Sequence, residues 1–310
     1  MSKIAFIYPG QGAQKAGMGA DFYENSEIAR YIFDQAGEEL DLDMKELCFE
    51  ENDRLDLTEY TQAAMVTTCL AMTRVAESKG LKADITAGLS LGEYPAIAAA
   101  GGMNDRDAIR LVRKRGILMQ NTVPAGEGAM CAVISMAAEE IEKVIEPIAD
   151  VSVANYNCPG QIVISGETEQ VKQAADKLKE AGAKRAVLLN VSGPFHSSLL
   201  TGAGEKLEAV LKELTIEKPQ IPYVANVDAS YITEQADILP RLVSQVSHSV
   251  RWQQSVEKMV ENGVDTFIEI GPGRTLAGFN KKIAKAIGKE LTTYNVATME
   301  DIDKVVEALK

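Results

Sequence analysis

Asp84-Ile85-Thr86-Ala87-Gly88-Leu89-Ser90-Leu91-Gly92-Glu93-Tyr94-Pro95-Ala96-Ile97-Ala98-Ala99-Ala100 is the stretch on which the fold turns. Asp84 to Ala87 reads as a short buried strand, and Glu93 to Ala100 as an Ala-rich helix with proline in its first turn, where a missing N–H costs nothing. Gly-x-Ser-x-Gly at a corner between strand and helix is the pattern of a nucleophile elbow. The serine sits on the bend, and the glycines let strand and helix pass without Cβ clashes. The first helical N–H groups, starting at Leu91, then point toward the space above the Ser90 hydroxyl, where an oxyanion can be received. A Gly-rich turn that serves packing alone is the competing reading, and the flanking strand and helix favour the nucleophile.

Outward from this corner, the chain bounds its own class. With 310 residues and 46% hydrophobic content it can bury a large core as one or two domains. The brief apolar run Ile4 to Tyr8 is too short for a signal peptide, and no apolar segment reaches membrane-spanning length, so a cytoplasmic protein is expected. The four cysteines (Cys48, Cys69, Cys131, Cys158) show no CxxC or Cys/His spacing, which predicts reduced core thiols with no metal site. A net charge of −13 argues against nucleic acid or an anionic membrane as partner. An acidic protein partner would need a local basic patch, for which Arg110/Arg113/Lys114 and Lys184/Arg185 are candidates; an ordinary solvated face is the plainer reading of either.

Lys3 to Tyr8 reads as a buried strand ended by Pro9-Gly10-Gln11-Gly12, either a simple turn or a place where backbone comes close to a ligand. It lacks the spacing of a dinucleotide fingerprint. Helices follow at Ser26 to Leu40, Thr58 to Ser78 and Asn104 to Gln120, with Thr61-Gln62 in the second facing either core or site. Ala129 to Ser135, Ala138 to Ile148, Val151 to Asn155, Gln161 to Ser165, Thr168 to Ala181 and Arg185 to Val191 read in order as βαββαβ, the ferredoxin-like unit. Ala203 to Leu214, Ile238 to Val246 and Trp252 to Asn262 read as helices, and Tyr223 to Val227 as a strand. Val264 to Ile270 is a strand closed by Gly271-Pro272-Gly273, with a helix from Thr275. The expected architecture is therefore α/β, a mostly parallel core over residues 1–124 and 192–310 with an inserted ferredoxin-like subdomain at 125–191.

Two further residues carry chemistry. At about 100° per residue, Ala108, Leu111, Val112, Leu118 and Met119 form one apolar arc of their helix, and Arg115 falls inside it. An arginine there meets an internal acid, snorkels outward, or waits for a substrate carboxylate that its planar fork can hold by two hydrogen bonds. His196, one of only two histidines, follows Gly193-Pro194, a rigid bend suited to an aimed side chain. A serine nucleophile needs a base, and histidine is the side chain best poised for that near neutral pH.

Gly10-Gln11-Gly12, Gly88 to Glu93, Arg115-Gly116, Ala154-Asn155-Tyr156-Asn157-Cys158-Pro159-Gly160-Gln161, Gly193-Pro194-Phe195-His196-Ser197 and Glu269 to Gly273 occur in one order over nearly the whole chain. Together they resemble the malonyl-CoA:acyl carrier protein transacylases of type II fatty-acid synthesis. The resemblance implies an α/β-hydrolase-like core with a ferredoxin-like insert. It implies Ser90 as the nucleophile that carries the malonyl ester, His196 as its base, the N–H groups of Gln11 and Leu91 as oxyanion hole, and Arg115 as partner of the malonyl carboxylate. Gln245 would orient His196 through its main-chain carbonyl, a Ser-His dyad rather than a triad. Malonyl-CoA and acyl carrier protein are the implied substrates, with no cofactor beyond the coenzyme A thioester itself. Ala13, Ala63 and His248 depart from the usual pattern away from this chemistry. The alternatives are a discrete acyltransferase serving a polyketide synthase, a serine thioesterase or esterase, and a non-catalytic binding protein.

Overall fold

A computed structural model describes residues 3–191 and 193–310; Met1, Ser2 and Ser192 lie outside them. In chain order the strands are β1 (Lys3–Tyr8), β2 (Ile85–Gly88), β3 (Gly128–Ile134), β4 (Val151–Cys158), β5 (Gln161–Glu167), β6 (Arg185–Leu188), β7 (Tyr223–Val224), β8 (Tyr231–Ile232), β9 (Val264–Ile270) and β10 (Thr292–Val296). They form a six-stranded sheet of order β10-β9-β1-β2-β7-β8 and a four-stranded sheet of order β4-β5-β3-β6. In the first, every pairing is parallel except β7 with β8.

The continuous apolar character of β1 follows from burial on both faces, as parallel sheets require. Side chains alternate along the strand. Phe6 and Tyr8 pack on one side with Met65, Cys69 and Leu70 of helix Thr58–Ser78. Ala5 and Ile7 pack on the other with Trp252, Val256, Phe279 and Ile283 of helices Trp252–Glu261 and Thr275–Ile287. β1 and β2 thus lie at the centre of a three-layer body, with their carboxyl ends side by side at Tyr8↔Gly88.

The smaller sheet is antiparallel and carries helices Ala138–Ile145 and Thr168–Glu180 on one face, where Ile141, Ile145, Val171 and Leu178 are buried against Cys131, Val133 and Ile164. Its element order is the expected βαββαβ. The parallel main sheet and the small antiparallel one agree with the fold class expected from sequence. The cysteines are free and buried. Among the described residues no helix is long and apolar enough to cross a membrane.

Several boundaries differ. The strand expected over Tyr223 to Val227 ends at Val224, because Ala225 and Ser230 close a turn that brings β8 back antiparallel. The strand expected to reach Val191 ends at Leu188, leaving Leu189 to Val191 to line a cleft. Short helices Ala20–Asn25 and Met44–Phe49, the edge strand β10 and helix Met299–Ala308 were not expected from sequence.

Candidate active site

A cavity of about 750 Å³ is lined from both sheets, by Gln11, Ser90, Arg115 and His196 on one side and by Met130, Asn155 and Val163 on the other. Its floor is the elbow. Leu89 N–H donates to Tyr8 O at 3.0 Å, which anchors the turn to the end of β1. A Cβ at Gly88 would lie 1.9 Å from Gly92 O, and one at Gly92 2.3 Å from Tyr8 O, so both glycines are required by backbone-to-backbone approach. Between them Ser90 has φ +54°, a left-handed conformation that costs an L-residue roughly 1–2 kcal/mol. The chain then makes one tight turn, Ser90–Gly92, and enters helix Glu93–Ala99.

His196 is aimed by a second bend. It too has positive φ, +59°, and Ser197 Oγ donates to Pro194 O at 2.7 Å across the turn. His196 Nε2 lies 2.7 Å from Ser90 Oγ and Nδ1 lies 2.8 Å from Gln245 O. A carbonyl can only accept, so Nδ1 carries the proton and Nε2 is left to accept from the serine hydroxyl. Burial, with the nearby Arg115 charge, pushes the imidazole down to about 4, which keeps it neutral and basic at pH 7.

Arg115 is 1% exposed on helix Asp105–Thr122. Its neighbour Gly116 explains how: a Cβ there would meet Glu59 Cα at 2.8 Å, so the helix crosses tightly over Thr58–Ser78 and sets Arg115 against Gln62. Nη1 donates to Gln62 Oε1 at 2.8 Å, and Nη2 donates to Gln245 Oε1 at 2.8 Å and to Ser90 Oγ at 3.2 Å. The guanidinium also lies 5.3 Å from the centre of the Tyr94 ring. Its hydrogen-bond partners are two amides and a hydroxyl, not the internal salt bridge that was one expectation. Burial lowers its proton affinity, while Glu93 and Tyr94 raise it.

Gln11 and Leu91 both face the cavity. The Gln11 loop is pressed on the elbow, since a Cβ at Gly10 would lie 2.8 Å from Leu89 O, and Gln11 Nε2 donates to Thr58 Oγ1 at 3.1 Å. Among the described residues no acceptor takes the Gln11 N–H. The Leu91 N–H belongs to a first helical turn, where donors lack partners inside the helix.

The structure thus gathers Ser90, His196, Arg115, Gln11, Leu91 and Gln245 at one place. It adds contacts to which local sequence gave no role. Gln62, left between core and site, holds Arg115. The Gln245 side chain, in addition to its carbonyl, donates to Ser90 O at 2.9 Å and to Glu93 Oε2 at 2.7 Å. Glu93 is wholly buried, and burial pushes its carboxyl up to about 8 against the pull of Gln245, Asn226 and Arg115. Asn226 lies beneath the elbow. An acid in an otherwise apolar helix start and an amide in the run Tyr223-Val224-Ala225-Asn226-Val227 were the available signals. Of the two basic patches, Arg110 and Arg113 are paired with Glu39 and Glu59 at 2.8 Å each, an ion-paired face.

A serine on a tight corner between strand and helix, with a buried histidine against its hydroxyl and an arginine beside it, is an arrangement suited to a serine acyltransferase. Residues 5–300 match the model of the acyl transferase domain family. The chain belongs to that family and, within it, to the malonyl-CoA:acyl carrier protein transacylases. It is 45% identical to the malonyl CoA-acyl carrier protein transacylase of Bacillus subtilis, covering 100% of this chain and 98% of that protein. The crystal structure of the transacylase from Clostridium perfringens superposes with a TM-score of 0.94 at 43% identity, over 99% of this chain and 97% of that one. A malonyl-transacylase solved in complex with its type II PKS acyl-carrier protein gives a TM-score of 0.95 at 39% identity, over 99% of this chain and 100% of that one.

Proposed function

We propose that this chain moves a malonyl group from coenzyme A to the phosphopantetheine thiol of acyl carrier protein, supplying fatty-acid synthesis in the cytoplasm. The observation that carries the reading is the contact of Ser90 Oγ with both His196 Nε2 at 2.7 Å and Arg115 Nη2 at 3.2 Å, nucleophile, base and carboxylate reader converging on one oxygen.

His196 Nε2 takes the Ser90 proton as Oγ attacks the malonyl thioester carbon. The carbonyl oxygen becomes an oxyanion against the N–H groups of Gln11 and Leu91. The C–S bond breaks, His196 returns the proton to the departing coenzyme A thiolate, and the malonyl group remains as an ester on Ser90. The carrier thiol then gives its proton to His196 and attacks the ester; the C–O bond breaks and Ser90 Oγ recovers the proton. Arg115 pairs with the free carboxylate throughout, and the carbonyl of Gln245 holds His196 in the basic tautomer. The coenzyme A thioester enters as substrate, and the proton transfers use only side chains of this chain. Residues 1–124 and 192–310 serve as the catalytic core and 125–191 as a subdomain that closes the cavity from above.

The reading of a separate acyltransferase for a polyketide synthase is favoured by one observation, the similarity to a malonyl-transacylase solved with a type II PKS carrier. Both pathways use the same acyl-enzyme. A thioesterase would leave the acyl group to water, and the carbonyl rather than carboxylate behind His196 supports transfer instead. Intact mass of wild type and Ser90→Ala after brief exposure to malonyl-CoA, then to holo-acyl carrier protein, decides. One malonyl adduct on wild type alone, discharged onto the carrier, is expected; a folded protein with no adduct sinks the proposal.

A further inference from the structure

Beneath the elbow, β2 and β7 pair only as far as Ala87↔Val224. Two residues on, the Asn226 side chain takes over where the backbone ladder stops. Its Oδ1 accepts the Ser90 N–H at 2.7 Å and its Nδ2 donates to Gly88 O at 2.7 Å, so one carboxamide spans the two peptide groups that flank the bend. Asn226 is itself held on both sides: its N–H donates to Glu93 Oε2 at 3.3 Å, and its carbonyl accepts from Arg251 N at 2.9 Å. Glu93 Oε2 accepts at the same time from Gln245 Nε2, whose residue aims both His196 and Arg115.

These contacts link the backbone of the nucleophile to its base and its carboxylate reader through two residues that lie outside the cavity lining. Asn226 is 2% exposed and Glu93 fully buried, and neither lines the cavity. A carboxamide suits the place because it offers one donor and one acceptor side by side. Aspartate in its ionised form loses the donor to Gly88 O, and alanine loses both bonds. The left-handed Ser90 backbone would then lack the bonds that over-determine it.

We propose that Asn226 is a positioning residue for the Ser90 nucleophile, bridging Gly88 O and Ser90 N–H, with Glu93 locking it to Gln245. The inference rests on Ser90 being the nucleophile, not on malonyl as its cargo.

The test uses Asn226→Ala and Asn226→Asp in the full chain. The readouts are the rate of Ser90 phosphonylation by a fluorophosphonate, kcat and KM with malonyl-CoA, and the melting temperature. A misplaced reacting atom costs on the order of 10² in rate. Phosphonylation and kcat are expected to fall together by about that factor at pH 8 while KM changes by less than about threefold. In Asn226→Asp the introduced carboxyl, when protonated, again offers O–H to Gly88 and C=O to Ser90. Its rate relative to wild type is therefore expected to recover as pH is lowered from 8 to 5.5, with the Glu93 carboxyl in contact with the residue 226 N–H and with Arg115 and Asp228 acting on that carboxyl. Where Asn226→Ala does not fold, the near-isosteric Asn226→Asp, brought from pH 5.5 to 8, carries the measurement. Wild-type phosphonylation rates in a folded variant at pH 8 overturn the proposal, as does a loss with no recovery at low pH. Phosphonylation of wild type without malonylation would overturn the malonyl reading and leave this one standing.

Discussion

Arg115 and His196 are both held by Gln245: the arginine by its side-chain oxygen at 2.8 Å, the histidine by its main-chain oxygen at 2.8 Å. Imidazole and guanidinium are thus both held by one residue at the end of helix Ile238–Gln245. Both bonds end on one amino acid, so a displacement of Gln245 is felt by the arginine and the histidine together.

Arg115→Ala removes the guanidinium that lies 3.2 Å from Ser90 Oγ and that the proposed mechanism pairs with the malonyl carboxylate. Charge-assisted bonds contribute about 1.5–3 kcal/mol each, so two parallel bonds correspond to a loss of roughly 10²–10⁴ in kcat/KM for malonyl-CoA. Acetyl transfer, which leaves the arginine unpaired in wild type, is expected to rise relative to malonyl transfer. Competition between the two thioesters measures this directly, and an unchanged ratio places Arg115 outside the acyl pocket.

Gln62→Leu keeps the arginine and removes one of its two amide supports. The expected loss of malonyl preference is about tenfold, smaller than for Arg115→Ala, and it falls on KM more than on kcat because the nucleophile and base are untouched. A kcat-only effect would place Gln62 in the chemical step instead.

His196 has its proton affinity lowered by burial to about 4. A depressed base is in its active, neutral form above that value and lost below it. The acylation rate is therefore expected to be flat between about pH 5.5 and 7.5 and to fall tenfold per unit below about 4, measured by quenched-flow detection of the malonyl-enzyme. An acid limb near 6.5, the ordinary histidine value, contradicts this placement. His196→Ala is expected to lose about 10²–10⁴ in acylation rate.

Gly92→Ala places a Cβ 2.3 Å from Tyr8 O and 2.9 Å from Pro9 O, both backbone atoms that cannot yield cheaply. The variant is expected to lose more than about 3 kcal/mol of stability through forced backbone displacement, at or beyond the upper range for overpacking. Gly202→Ala, on a helix with open space around it, is the control and is expected to melt within a few degrees of wild type. Equal melting temperatures would mean that the elbow is looser than its distances imply.

Much of this was legible beforehand. β1 and β2 are short, largely apolar runs ended by proline or glycine, and strands buried on both faces leave that trace whatever surrounds them. Arg115 was conspicuous because a charge interrupted an apolar arc. What surrounds it was not: the sequence left an internal acid and a substrate carboxylate both open, and only the crossing at Gly116 shows that amides fill the space. Asn226 was hidden for a different reason. Its partners Gly88 and Ser90 lie 138 and 136 residues away, and no local period encodes such a bond. The edge strand β10 escaped because Val296 alone in it is buried and Thr292-Thr293-Tyr294-Asn295 lacks the apolar signature of its neighbours.

The working parts of the site are far apart along the chain. Ser90 meets its histidine across 106 residues, the histidine meets its orienting carbonyl across a further 49, and the arginine meets the Gln245 side chain across 130. Contacts of such high order form late, after the entropy of closing long loops has been met. The contacts that gather around Ser90 therefore close only once the helix ending at Gln245 has been made and docked, so the site arrives together with the finished fold.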